Sequence, residues 1–183
     1  MRSDNPIIFL IETLFDLYII VLMLRFILQW VQADFYNPIS QFIVKATSPV
    51  VAPARKLIPG VSGIDLATII VIIVFIAIKI FIIALLSGYT PTLLALLLTG
   101  IRDFITLVLN IFIFAIIIHA ILSWINPDPY NPVSGILFSI TRPVLEPFRS
   151  IIKPVGGLDL SPLVALIALM FIERLVVYLF NML

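Results

Sequence analysis

Asp34-Phe35-Tyr36-Asn37-Pro38-Ile39-Ser40 recurs as Asp128-Pro129-Tyr130-Asn131-Pro132-Val133-Ser134. The same shift of 94 residues lays Thr47-Ser48-Pro49-Val50 on Thr141-Arg142-Pro143-Val144, and Pro53-Ala54-Arg55 on Pro147-Phe148-Arg149. It also lays Gly63-Ile64-Asp65-Leu66 on Gly157-Leu158-Asp159-Leu160, and Ile27-Leu28-Gln29-Trp30 on Ile121-Leu122-Ser123-Trp124. Shared hydrophobicity could explain matched Ile and Leu, but not coincident Trp, Asn-Pro, Thr-x-Pro and Asp. The chain is therefore a tandem repeat, and its fold must be read as two copies of one unit.

Apolar stretches flank each copy of this motif. Ile7 to Trp30 and Leu66 to Leu86 bracket the first; Asp103 to Trp124 and Pro162 to Phe180 bracket the second. Crossing about 30 Å of hydrocarbon takes roughly 20 mostly apolar residues in a helix, so each stretch is long enough to span. The totals agree. Of 183 residues 62% are hydrophobic and only 11% charged, with a mean hydropathy of +1.25, so there is too little polar surface to cover a water-facing globule. Glu12 and Asp16 interrupt the first stretch and no small-residue cleavage site follows it, so it reads as a retained span, not a signal peptide. The expected fold is an all-α membrane protein with four transmembrane helices in two tandem repeats, over residues 1–88 and 89–183. Each repeat is span, interfacial loop module (31–65 and 125–161), span. An even number of spans per unit makes the repeat parallel, with a pseudo-two-fold axis expected along the membrane normal.

Within each module the apolar residues fall at helical spacing: Ile39, Phe42, Ile43 and Ala46, then Val133, Ile136, Leu137 and Ile140. Asn37-Pro38 and Asn131-Pro132 fit an N-cap followed by proline at the first helical position. The spacing resumes at Val50, Pro53, Ala54 and Leu57, and at Val144, Pro147, Phe148 and Ile151, after Pro49 and Pro143. Internal Pro53 and Pro147 predict a short or kinked second piece, so each module is expected to be a pair of interfacial helices. Gly63 and Gly157 supply turns, and Asp65 and Asp159 are placed to cap the returning spans. The run Thr92 to Thr99 is too short to cross and reads as an interfacial helix leading into the third span. Basic residues concentrate in the modules: Lys45, Arg55 and Lys56, then Arg142, Arg149 and Lys153, against Arg2 and Arg102 on the other side. Both long loops are thus expected to be cytoplasmic. Arg55, Lys56, Arg149 and Lys153 are the candidate contacts to headgroups or to a protein partner.

Ionisable groups at span depth are costly unless paired or wet, which makes each a functional candidate. Glu12 and Asp16 share a helix face, Arg25 lies nearer the loop end of the same span, and Lys79 lies at a depth like that of Asp16. Lys79 is expected to pair with Asp16 or Glu12, or with Glu173 across the pseudo-two-fold. The repeat shift sets Asn110 against Asp16, His119 against Arg25 and Glu173 against Lys79. Such pairs can specify helix packing or line a path for a cation or proton. No Cys is present, and His119 is the single histidine. No metal or haem set, nucleophile-base pair or phosphate-cradling glycine loop is recognisable, so neither a cofactor nor an enzymatic activity is expected. The net charge of +1 gives no reason to expect nucleic acid as a partner.

The paired Asn-Pro, Thr-x-Pro-x-x-x-Pro-x-Arg and Gly-x-Asp-Leu elements resemble the YggT family, including its cyanobacterial and plastid relatives. The resemblance covers nearly the whole chain. Gly156-Gly157-Leu158-Asp159-Leu160-Ser161-Pro162 is similar to the usual family pattern; Ser62-Gly63-Ile64-Asp65-Leu66-Ala67 lacks its second glycine and its Ser-Pro. The resemblance implies a small multi-pass protein of the bacterial inner membrane without an established enzymatic activity. It also implies links to osmotic or ion stress tolerance, to division and membrane organisation, and, in plastid forms, to assembly of a b-type cytochrome. The reading that follows is a non-enzymatic scaffold or assembly factor, with the lipid bilayer and a membrane protein as partners and self-association left open. The alternative is a transport-linked protein supporting ion homeostasis through Glu12, Asp16, Lys79 and Glu173.

Overall fold

The computed structural model describes residues 5–60, 63–125, 131–152 and 159–182, with the side chains of 123–125 left aside. Gly157 and Lys153 lie outside the described residues. Among the described residues six helices follow in order: α1 (Pro6–Trp30), α2 (Pro38–Leu57), α3 (Leu66–Leu86), α4 (Leu93–Ile125), α5 (Pro132–Ile151) and α6 (Ser161–Phe180). Four of them, α1, α3, α4 and α6, are long and apolar enough to cross a membrane. The chain is an all-α, four-span protein built from two tandem units.

Local chemistry sets the helix starts. The side chains of Asn5, Asn37 and Asn131 each accept a hydrogen bond from the backbone N–H two residues on, and a proline occupies the next position, where its missing N–H costs nothing. Asp65 caps α3 through the Thr68 N–H, and Asp159 accepts from the Ser161 N–H at the start of α6. Gly63 has φ +82°, a left-handed conformation in which a Cβ would be strained, which fixes the turn into α3.

Two expectations need correction. The loop modules are not helix pairs: α2 and α5 are each one helix of 20 residues that runs through its internal prolines. Pro49 and Pro53 free the carbonyls of Lys45 and Pro49, and Lys45, Pro49 and Pro53 all lie on the exposed side. Carbonyls freed outward can be solvated, so the helix continues at modest cost. The buried stripe also differs from the one drawn on spacing alone. Ser40, Ile43, Thr47 and Val51 face inward, whereas Phe42 (66% exposed) and Leu57 (84% exposed) face out. The second correction concerns Thr92 to Thr99, which is not a separate interfacial helix. Residues 93 onward belong to α4, a 33-residue helix about 50 Å long at 1.5 Å per residue. No proline separates Pro91 from Pro127, and an internal Gly100 costs only about 1 kcal/mol, so nothing stops the helix there.

Helices α1, α2 and α3 pack mutually, as do α4, α5 and α6. Leu22, Met23, Ile27, Val51, Ile72 and Ile76 are fully or almost fully buried in the first unit, and Ile116 and Leu145, the counterparts of Leu22 and Val51, in the second. The units join where α1 and α3 meet α4, and where α1 and α2 meet α5. Phe26 meets Phe104 at a tilt and Trp30 meets Phe112 edge-on across that seam, and Asn37 Nδ2 donates to the Pro132 carbonyl at 2.8 Å. The seam departs from a strict two-fold. Among the described residues, the α3–α4 contact has no α6–α1 counterpart and the α1–α5 contact has no α4–α2 counterpart.

Candidate functional site

The polar residues of the repeat motif, with those inside the spans, form three interhelical links, each present in both units at equivalent positions.

The first ties α2 to α1. Arg25 reaches sideways from α1, 6% exposed, and its Nη1 donates to Thr47 Oγ1 at 2.7 Å, to the Val44 carbonyl at 3.1 Å and to Ser48 Oγ at 3.3 Å. Thr47 is wholly buried and donates its own proton back to the Ile43 carbonyl. In the second unit His119 takes the place of Arg25. Its Nδ1 lies 2.8 Å from Thr141 Oγ1, whose proton goes to the Leu137 carbonyl, also at 2.8 Å. With that proton committed, the imidazole is the donor, which sets the Nδ1–H tautomer.

The second link ties the far end of α2 to the start of α3. Arg55 Nε donates to Asp65 Oδ2 at 3.1 Å, its Nη2 bonds the same oxygen, and that Nη2 also donates to Gln29 Oε1 of α1 at 2.7 Å. Thr68 donates its hydroxyl to Asp65. Burial by itself would raise the Asp65 pKa, but the hydrogen bonds from Arg55 and Thr68 outweigh it and hold the carboxyl below its usual range. Arg149 and Asp159 repeat the link at 2.8 Å, and Asp159 is likewise lowered: burial would raise it, but the hydrogen bonds from Ser161 and Arg149 together outweigh that.

The third lies within the spans. Lys79 Nζ of α3 donates to Asp16 Oδ1 of α1 at 2.8 Å, and at the equivalent positions Asn110 Nδ2 of α4 donates to Glu173 Oε1 of α6 at 3.2 Å. The structure therefore places Lys79 with Asp16 and not with Glu173 or Glu12. Glu12 is half-buried without a hydrogen bond or ion pair among the described residues. A cavity of about 280 Å³ opens beside this link at the seam, lined by Asp16, Lys79, Asp103, Thr106 and Asn110 together with apolar side chains.

Of the candidate surface cations, Arg55 and Arg149 are committed to their aspartates, whereas Lys56 is exposed and forms no ion pair among the described residues. The Arg25–Thr47 contact escapes a reading by periodicity, because Thr47 sits in the loop motif and Arg25 in the span. A signal was present nonetheless: the bonded residues are 22, 10 and 63 apart in both units. No group of three or more His, Asp and Glu placed to hold a metal ion occurs among the described residues.

The family described as CCB3/YggT matches residues 5–86 and again 98–180. The chain belongs to the CCB3/YggT family. An uncharacterized protein of Pseudomonas aeruginosa is 45% identical over 176 residues, covering 95% of this chain and 89% of that protein. An uncharacterized protein of Vibrio alginolyticus is 43% identical, covering 91% of each chain. The uncharacterized protein YggT of Escherichia coli is 32% identical over 92% of this chain and 88% of its own length. No solved structure matches. The two family matches fall on α1 to α3 and on α4 to α6, so every link above joins residues of one CCB3/YggT segment.

Proposed function

We propose that this member of the CCB3/YggT family is a non-enzymatic membrane scaffold or assembly factor whose working surface is the pair α2 and α5. The supporting observation is the economy of the motif: in each unit its arginine, threonine and aspartate hold an amphipathic helix against two spans instead of converging on a reaction site. A helix fixed in that way presents its other face in a constant geometry. Phe42 and Leu57 on α2, and Val133, Phe138 and Ile151 on α5, are each at least 45% exposed, and Lys56 is exposed next to Leu57. Exposed apolar residues rimmed by charge suit a membrane-embedded protein partner or the headgroup boundary. Photo-crosslinking in native membranes tests this, with the probe placed at Phe42, at Phe138 and, as a lipid-facing control, at Leu14 of α1. Discrete protein adducts at 42 and 138 but not at 14 are expected. Identical patterns at all three positions contradict the proposal.

The second reading, a transport-linked protein supporting ion homeostasis, draws on the polar cavity beside Lys79 and Asp16. Liposomes holding this protein alone should then show cation flux that Lys79→Met changes. Absence of flux removes the autonomous form of that reading.

A further inference from the structure

Among the described residues, no acid bonds Arg25 directly. Its bonded partners, Thr47, Ser48 and the Val44 carbonyl, are all neutral, and its Nε is buried with no hydrogen-bond partner. An unpaired guanidinium in a protein interior is expensive, and an orphaned donor adds to that cost. Ser40 Oγ, from the first turn of α2, is another buried polar atom without a partner among the described residues, as is Ser134 Oγ at the equivalent position of α5. Arg25 and Ser40 line one cavity of about 320 Å³. Gln29, Gln32 and Arg55 line it as well, so its polar atoms are dominated by guanidinium, amide and hydroxyl donors. No carboxylate lines it, and Asp65 already answers Arg55. Leu28, Ile43, Val44 and Phe35 give the remaining wall an apolar character. Arg25 and Ser40 are buried, while Gln32 and Phe35 are exposed, so the cavity runs from a charged floor to an open rim. Gln32 is held there with φ +52°, the one non-glycine residue in the left-handed region among the described residues.

We propose that this cavity is a binding site for a phosphate-bearing anion, its charge met by the Arg25 guanidinium and its oxygens by donors of that guanidinium and of the glutamine amides. The fork of an arginine fits phosphate oxygens, and the site lies beside the end of a membrane-spanning helix, where phospholipid headgroups are the abundant anions. The apolar wall suits the glycerol and first methylenes of such a lipid, whereas a free phosphate would use the floor alone. The site belongs to the first unit: the position of Arg25 is His119 in the second, which has no permanent charge. This inference does not depend on what α2 and α5 dock.

The test is native mass spectrometry of the full-length protein, delipidated in neutral detergent and then offered phosphatidylglycerol, phosphatidylcholine or inorganic phosphate. Two variants accompany it. Arg25→Gln removes the cation; Gln29→Glu leaves Arg25 and its bonds in place, keeps an acceptor for Arg55 and sets a negative charge at the cavity. The wild type is expected to retain a phosphatidylglycerol adduct, and both variants to lose it by about tenfold, the loss expected when a charged hydrogen bond is removed. Retention of inorganic phosphate with the same sensitivity to both variants supports the site with a free anion as its occupant. Wild-type retention of neither anion, or retention that Gln29→Glu leaves unchanged while that variant remains folded, overturns the proposal.

Discussion

Lys79 and Asp16 join α3 to α1 inside the span region, with Nζ 2.8 Å from Oδ1. The Lys79 side chain is 15% exposed and that of Asp16 is 50% exposed, so the lysine depends on the contact more than the aspartate does. Interhelical polar contacts in membrane proteins contribute about 1 kcal/mol. Lys79→Met is therefore expected to lower the melting temperature in detergent by a few degrees. The exchange Asp16→Lys with Lys79→Asp should restore part of the loss, and no rescue by the exchange would show that the contact is incidental.

The Thr47 and Thr141 links should respond unequally to the same change. Thr47→Val removes the nearest acceptor of a buried guanidinium, at a cost of about 1.5–3 kcal/mol, whereas Thr141→Val removes a bond to an imidazole, at a cost of about 0.5–1.5 kcal/mol. Thermal melts of the two variants in one detergent would decide it; equal losses would contradict the charge asymmetry between the units.

Acid should release α2 from α3. The Asp65 carboxyl is lowered in the folded protein, so its stabilisation is complete above the unfolded carboxylate value of about 3.9 and is lost as pH falls through the folded value. Arg55→Gln removes a lowering influence and leaves burial to act, so the loss should begin at a higher pH. Melting temperature against pH for wild type and Arg55→Gln measures the shift, and superimposable curves would rule it out.

Pro49 is internal to a helix that passes through it without ending. Pro49→Ala returns a donor to the Lys45 carbonyl and should leave the melting temperature equal or higher, since an internal proline costs up to about 3 kcal/mol relative to alanine. A marked fall would mean that the proline ring itself makes a needed contact.

These outcomes also mark how far the amino-acid sequence reaches. The four spans were legible because hydrocarbon thickness sets a length that any apolar stretch must meet, and the repeat was legible because Asn-Pro, Thr-x-Pro and Gly-x-Asp-Leu are too specific to coincide. The continuity of α2 was not. Proline propensity is local, whereas the tolerance of Pro49 and Pro53 depends on which side of the folded helix their freed carbonyls face. Arg25 and Thr47 could be named as polar residues but not joined, since their contact exists only once α2 lies against α1. Lys79 had three acids within consideration, and only the packing of α3 on α1 chooses Asp16.

If paired links hold α2 and α5 as a rigid surface, the separation of the two helices should be sharply defined. With no native cysteine to remove, spin labels can be attached at Phe42→Cys and Phe138→Cys, and the distance between them read by pulsed electron resonance in lipid. A single narrow distance distribution is expected, broadening when Arg55→Gln and Arg149→Gln are introduced together. A broad distribution in the otherwise unaltered protein, or a narrow one that ignores the loss of both arginines, would contradict that rigidity.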